Sequence, residues 1–252
     1  MGDIWSSLSL TPSDALALAA ICFVAGLVRG FTGFALSAFG LALAVLILPP
    51  VELIPVMWWL EMAASLVMLR HGWGGADMKA AITLVVGSAL GLIVGLSMTT
   101  TLDPAASQQI ALVVLIGLAL LQLAKIRIPH LASRPGTVAT GLIAGIATGL
   151  AGVGGMVVAL YVLARNDAPA KMRATLVAYL FLGSATSLFT HLWFGTMNAT
   201  SSLRGLAFVL PCILGVLIGQ RLFTPRFQPY YRPACLTLLI GLGATSLVRS
   251  AL

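Results

Sequence analysis

The chain of 252 residues is 60% hydrophobic and only 8% charged, with a net charge of +7 and a mean hydropathy of +1.05. A soluble domain carries roughly 25% charged residues, and without them it would expose apolar patches large enough to aggregate. The composition therefore points away from a soluble enzyme and toward a protein dissolved in lipid. The basic residues lie between apolar runs, so the positive charge reads as a topology signal and not as a nucleic-acid surface.

The first dozen residues carry Asp3 and no Lys or Arg. A secretory leader would need a positive start, so the first apolar run reads as a retained membrane segment. Apolar segments then fall at roughly 14–30, 34–49, 52–70, 80–98, 108–125, 138–152, 154–165, 174–191, 203–221 and 233–250. Spanning a bilayer takes about 20 helical residues. The first, second, sixth and seventh segments fall short of that, and each short pair meets at a glycine-rich break. Broken helices or re-entrant hairpins are expected there. Cys22, Cys212 and Cys235 all lie inside apolar runs, as small packing residues do.

Placing alternate loops on opposite faces puts twelve of the fourteen basic residues, from Arg29 to Arg232, on one face, leaving Arg204 and Arg249 on the other. By the positive-inside rule the basic face is cytoplasmic, which predicts periplasmic termini in a bacterial inner membrane.

The chain also repeats itself. Residues 25–33 read AGLVRGFTG and residues 144–152 read AGIATGLAG, an offset of 119 that also carries Pro50 onto Pro169. At an offset of 120, His71, Trp73 and Gly75 match His191, Trp193 and Gly195, and Gly95 matches Gly215. Each half holds five segments, an odd number, so the second inserts upside down relative to the first. The expected fold is an all-α polytopic membrane protein. Its two inverted-topology repeats cover residues 1–128 and 129–252, each opened by short broken or re-entrant helices.

The stretches AGLVRGFTGF at 25–34 and GIATGLAGVGG at 145–155, each followed by proline (Pro49–Pro50 and Pro169), resemble the two repeat signatures of the TauE/SafE sulfite exporter family, also called the 4-toluene sulfonate uptake family. The resemblance covers essentially the whole chain. It implies a bacterial inner-membrane transporter of sulfite, organosulfonates or related small anions. One departure is Thr148 in the second signature where the first has Arg29, so any role of Arg29 is not duplicated.

Transporters of this architecture bind substrate where helices break near the midplane, at exposed helix ends that suit an anion. Gly30, Gly33, Gly152, Gly154 and Gly155 would let backbone approach an oxyanion closely, or serve only as tight packing contacts; Thr32, Ser37 and Thr148 could add hydroxyl donors. Arg29 beside the first break is either a bidentate anion ligand or a side chain reaching the headgroups. Glu61 falls near mid-membrane, where a carboxylate is expensive and marks function by default. It would exchange a proton as a coupling residue, pair with Arg29, or stay protonated in a structural hydrogen bond. Trp58 and Trp59 lie too deep for an interfacial belt; Trp59 is taken into the site, and packing is the alternative for both. Ser65, Ser184, Thr186 and Ser187 offer polar lining, with Ser184 placed in the site. His71 and His191 read as interfacial anchors or gates, without metal-ligand spacing.

The expected function is secondary transport exporting a small anion, with sulfite or sulfoacetate as examples. Import of sulfonates or carboxylates is the alternative in the same class. An intramembrane enzyme would need a motif such as HExxH or GxSxG, and neither occurs. A channel would show rings of charge, and no Walker A sequence offers ATP hydrolysis. No cofactor, metal or nucleic acid enters the reading. The partners are the lipid bilayer, the anion and, by analogy with other transporters, a second copy in a homodimer.

Overall fold

The computed structural model describes residues 8–69, 73–124, 129–165, 167–222 and 228–251. Among these, ten α-helices follow one another without a strand: α1 Pro12–Thr32, α2 Leu36–Ala44, α3 Pro50–Leu69, α4 Met78–Thr101, α5 Pro104–Leu123, α6 Arg134–Ala151, α7 Gly154–Arg165, α8 Pro169–Trp193, α9 Ala199–Leu222 and α10 Gln228–Ala251. Capping chemistry sets many of the starts. Thr11, Asp77, Asp103, Ser133 and Asn198 each accept a backbone N–H of the first turn, and prolines occupy first-turn positions whose N–H needs no partner. Six helices (α1, α3, α4, α5, α8 and α9) are long and apolar enough to cross a membrane.

The ten segments expected from hydropathy are the ten helices, with one correction. The first segment is not short. Helix α1 runs 21 residues, because the Thr11 cap adds a polar turn in front of the apolar run and the helix continues through Gly30 to Thr32. Helix α6 gains a similar turn from Ser133 and reaches 18 residues. Only α2, with 9 residues, and α7, with 12, are clearly short.

Both expected breaks are present, and they match. Gly33 caps α1 with φ +85° and Gly152 caps α6 with φ +64°. Left-handed backbone of this kind favours glycine. Ala35 adopts the same region just before α2 without that freedom.

Contacts define two ends of the bundle. At the first end, Arg204 of α9 bonds the Leu8 and Ser9 carbonyls ahead of α1 and the Glu52 carboxylate of α3. At the second end, Asp77 ahead of α4 pairs with Arg165 of α7 at 2.7 Å, and its amide donates to Thr175 of α8. The Ala80 amide, opposed by some burial and helped by Arg165, holds the Asp77 carboxyl below its ordinary range. Since α1 and α3 both start at the first end, α1 and α2 form a hairpin that goes in and returns; α6 and α7 do the same from the second end. The described basic side chains Lys79, Arg134, Arg165, Lys171, Arg173 and Arg221 belong to helix ends at the second end. Arg70, His71, Lys125, Arg127 and Arg226 lie outside the described residues, as do the side chains of Arg232, Cys235 and Arg249. Cys22 and Cys212 are buried, unbridged thiols.

The closest packing joins α1 to α9 and α4 to α6. A Cβ on Gly26 or Gly30 would collide with the carbonyls of Cys212 or Val216, and one on Gly91 or Gly145 with those of Leu142 or Ser88. Small residues at four-residue spacing let membrane helices touch backbone to backbone. Gly91→Ala is expected to lower stability by about 1–3 kcal/mol through overpacking, whereas Gly117→Ala, which meets nothing within 4 Å, should be neutral or slightly stabilising. Unfolding midpoints in detergent would compare the two.

Candidate functional site

The two breaks meet at the centre. A Cβ on Gly152 would sit 3.4 Å from the Cβ of Ser37, the second residue of α2. Around this junction lies a cavity of about 70 Å³, walled by α3, α4, α8 and both breaks. One water needs about 10–15 Å³ on such a measure, so the space suits a small anion. It extends from Glu61 and Tyr179, in mid-helix, to Ile54 and His191 near the first end.

Glu61 is 8% exposed and lines this cavity. Its Oε1 accepts from the Ser37 amide at 3.3 Å and the Ser37 hydroxyl at 3.0 Å. Its Oε2 is buried without a hydrogen bond, 3.5 Å from Arg29 Nη2. Arg29 is fully buried; Nη1 donates to the Gly33 carbonyl at 2.6 Å and Nη2 to Ser65 Oγ at 2.9 Å, while Nε has no hydrogen-bond partner. Arg29 therefore does not reach for the headgroups. It turns inward, ties off the carbonyl of Gly33 that caps α1 and compensates the carboxylate of Glu61 at the junction, as a buried charge must be compensated.

Other anticipated residues divide between cavity and packing. Ser37, Thr148, Gly152, Gly155 and Ser184 line the cavity with Glu61. Gly30 abuts Val216, and Gly154 abuts the Thr148 side chain and the Ala144 carbonyl. Thr32 returns its hydroxyl to the carbonyls of Val28 and Phe34. Gly33 packs on the stem of Arg173. Trp59 lies against Gly205 of α9, away from the cavity, and it is Trp58 that faces inward. Trp58 Nε1 donates to the Ser184 carbonyl at 2.8 Å and Ser187 Oγ at 3.1 Å, fastening α3 to α8. Thr186 also lines the wall.

His191 is not an interfacial anchor. It is 1% exposed, at the outer end of the cavity, with Nδ1 2.9 Å from Thr196 Oγ1. The cause is local: the chain turns at Gly195, with φ +65°, and folds Thr196 back over the end of α8. Two features went unanticipated. Tyr179 places its hydroxyl 3.0 Å from Ser88 Oγ inside the cavity. Arg173 donates to the Gly30 carbonyl at 2.6 Å, beside Arg29. Tyr179 could have been flagged as a polar group within an apolar run; Arg173 looks in sequence like any other charge near a helix start.

Among the described residues the site offers hydroxyl donors, one carboxylate, the His191 imidazole and a shielded guanidinium, groups that meet an ion through hydrogen bonds and charge.

No curated protein and no solved structure gives a significant match to the chain. A family model does: the one described as sulfite exporter TauE/SafE matches residues 18–246. That span takes in eight complete helices, most of α1 and α10, both breaks and every residue of the cavity. With six helices fit to cross a membrane, the chain is a multi-pass membrane protein, and it belongs to the TauE/SafE family of transporters.

Proposed function

We propose that the protein is a secondary transporter that exports a small anion, sulfite or an organosulfonate such as sulfoacetate, by alternating access, with Glu61 carrying the coupled proton. The observation that carries this reading is the meeting of two glycine-capped helix breaks around a small, largely apolar cavity that holds several hydroxyls and a single buried carboxylate. Hydroxyls of Ser37, Thr148, Ser184 and Tyr179 coordinate the anion, and protonation of Glu61 removes the charge that would repel it. Ligand specificity for sulfur oxyanions rests on the family.

The two halves are inverted repeats. In support, the pairing of helices is unchanged when each helix is exchanged for the one five places along: α1 with α9 becomes α6 with α4, and α3 with α9 becomes α8 with α4. The basic second end is cytoplasmic by the positive-inside rule, in a bacterial inner membrane, and the termini are periplasmic. The cavity then faces the periplasm.

Thermal unfolding of the purified protein with sulfite, sulfoacetate, taurine, acetate and sulfate tests the reading. A ligand at a hundred times its Kd stabilises by about 2.7 kcal/mol, so a raised midpoint with sulfite or a sulfonate is expected, with little change in acetate. No response to any sulfur anion would overturn the substrate assignment.

A further inference from the structure

We propose that Arg29, Ser65 and Arg173 form a second anion site, one that opens to the second end of the bundle when the transporter turns over. The inference rests on the inverted-repeat reading above and extends it to a conformation other than the one described. In a pair of inverted repeats, turnover exchanges the roles of equivalent residues. The residues that line the cavity now therefore name those that line it in the opposite state. At the offset of 119, Thr148 corresponds to Arg29, Ile54 to Arg173 and Ser184 to Ser65. Thr148, Ile54 and Ser184 all line the present cavity. Their counterparts are already gathered at the closed side: Arg29 donates to Ser65, and Arg29 and Arg173 donate to the carbonyls of Gly33 and Gly30.

The chemistry of this cluster suits an oxyanion better than its present partners do. Backbone carbonyls at a helix C-terminus carry only a partial negative charge. A sulfonate or sulfite oxygen carries more and takes two donors of one guanidinium at once. The fully buried Arg29 also holds one N–H, on Nε, for which the closed state supplies no hydrogen-bond acceptor. Two guanidiniums stand there side by side, and the Glu61 carboxylate pairs with that of Arg29. Arg173 is half-buried near the start of α8, so the cluster is approached from the second end. The two faces are thus unequal: hydroxyls and an isoleucine meet an anion at the first end, and two arginines meet it at the second.

Initial rates of radiolabelled sulfite transport in right-side-out and inverted membrane vesicles test this, using wild type, Arg173→Gln and Arg173→Lys. Loss of a charge-assisted hydrogen bond is expected to raise KM for sulfite presented at the second-end face by about 10- to 100-fold, while KM at the first-end face stays at the wild-type value. Arg173→Lys, which keeps the charge and loses the fork, should fall between. The unchanged face reports that each variant is folded; should Arg173→Gln carry no sulfite from either face, the sided comparison is read from Arg173→Lys. Equal KM changes at both faces, or none at either, would overturn the second site while transport by wild type stood. Wild-type vesicles that carry no sulfite from either face would instead overturn the transport reading, and this site with it.

Discussion

Arg29→Met is expected to destabilise the purified protein by about 3–5 kcal/mol, the range for removing one partner of a buried ion pair. Two acceptors lose their donor at once, the Gly33 carbonyl and Ser65 Oγ, and Glu61 loses the compensating charge that stands 3.5 Å from its Oε2. The carbonyl matters because it belongs to the break itself, where the chain has already left helical geometry. Arg29→Met combined with Glu61→Leu should recover a large part of the loss, since an apolar pair of similar volume often replaces a buried ion pair without penalty. Recovery would remain incomplete, because Gly33 and Ser65 stay without their donor. Unfolding midpoints of the two single variants and the double variant close the cycle. Strict additivity would show that Arg29 and Glu61 do not act as a pair.

Glu61→Gln is expected to uncouple transport from the proton gradient. Two like charges about 4 Å apart, at an effective dielectric near 20, repel by about 4 kcal/mol, roughly a thousandfold in affinity. An anion entering a cavity lined by ionised Glu61 meets a repulsion of that order, offset in part by Arg29 behind it. On the proposed reading, taking up a proton with the anion removes the repulsion, so that the two move together. Glutamine keeps the shape and can still meet Ser37, but it has no charge to lose. In proteoliposomes, wild-type sulfite flux should follow an imposed pH gradient, and Glu61→Gln flux should proceed down the sulfite gradient alone, indifferent to pH. A variant that still followed the pH gradient would remove Glu61 from the coupling step.

Much of this arrangement can be read in the sequence, for identifiable reasons. Apolar runs bounded by Gly, Pro and charge gave ten segments that became ten helices, because a bilayer leaves a chain of this composition few other options. The glycine signatures marked both breaks, since Gly33 and Gly152 hold backbone conformations that other residues resist. Glu61 stood out because a mid-membrane carboxylate has few structural explanations. The rotational setting of each helix was not legible. Trp58 and Trp59 differ by one position, about 100° around α3, and only the neighbours decide that Trp58 meets Ser184 while Trp59 packs on Gly205. Gly30 was equally ambiguous, because the same glycine serves a ligand or a facing backbone, and here Val216 occupies the space. His191 was placed at the surface because the sequence does not reveal that the chain beyond it folds back.

The glycine contacts between α1 and α9, and between α4 and α6, have a mechanical consequence. In each pair one helix comes from residues 1–128 and the other from residues 129–252. Backbone-to-backbone seams of that tightness slide poorly, so each broken helix travels with its partner from the opposite half. The two lengths of chain are laced through one another, and on the proposed alternating-access reading the bodies that move would be hybrids. Cutting the polypeptide between α5 and α6 would leave two fragments, each with an unfilled glycine furrow, and each would need the other present in the same membrane to become a protein.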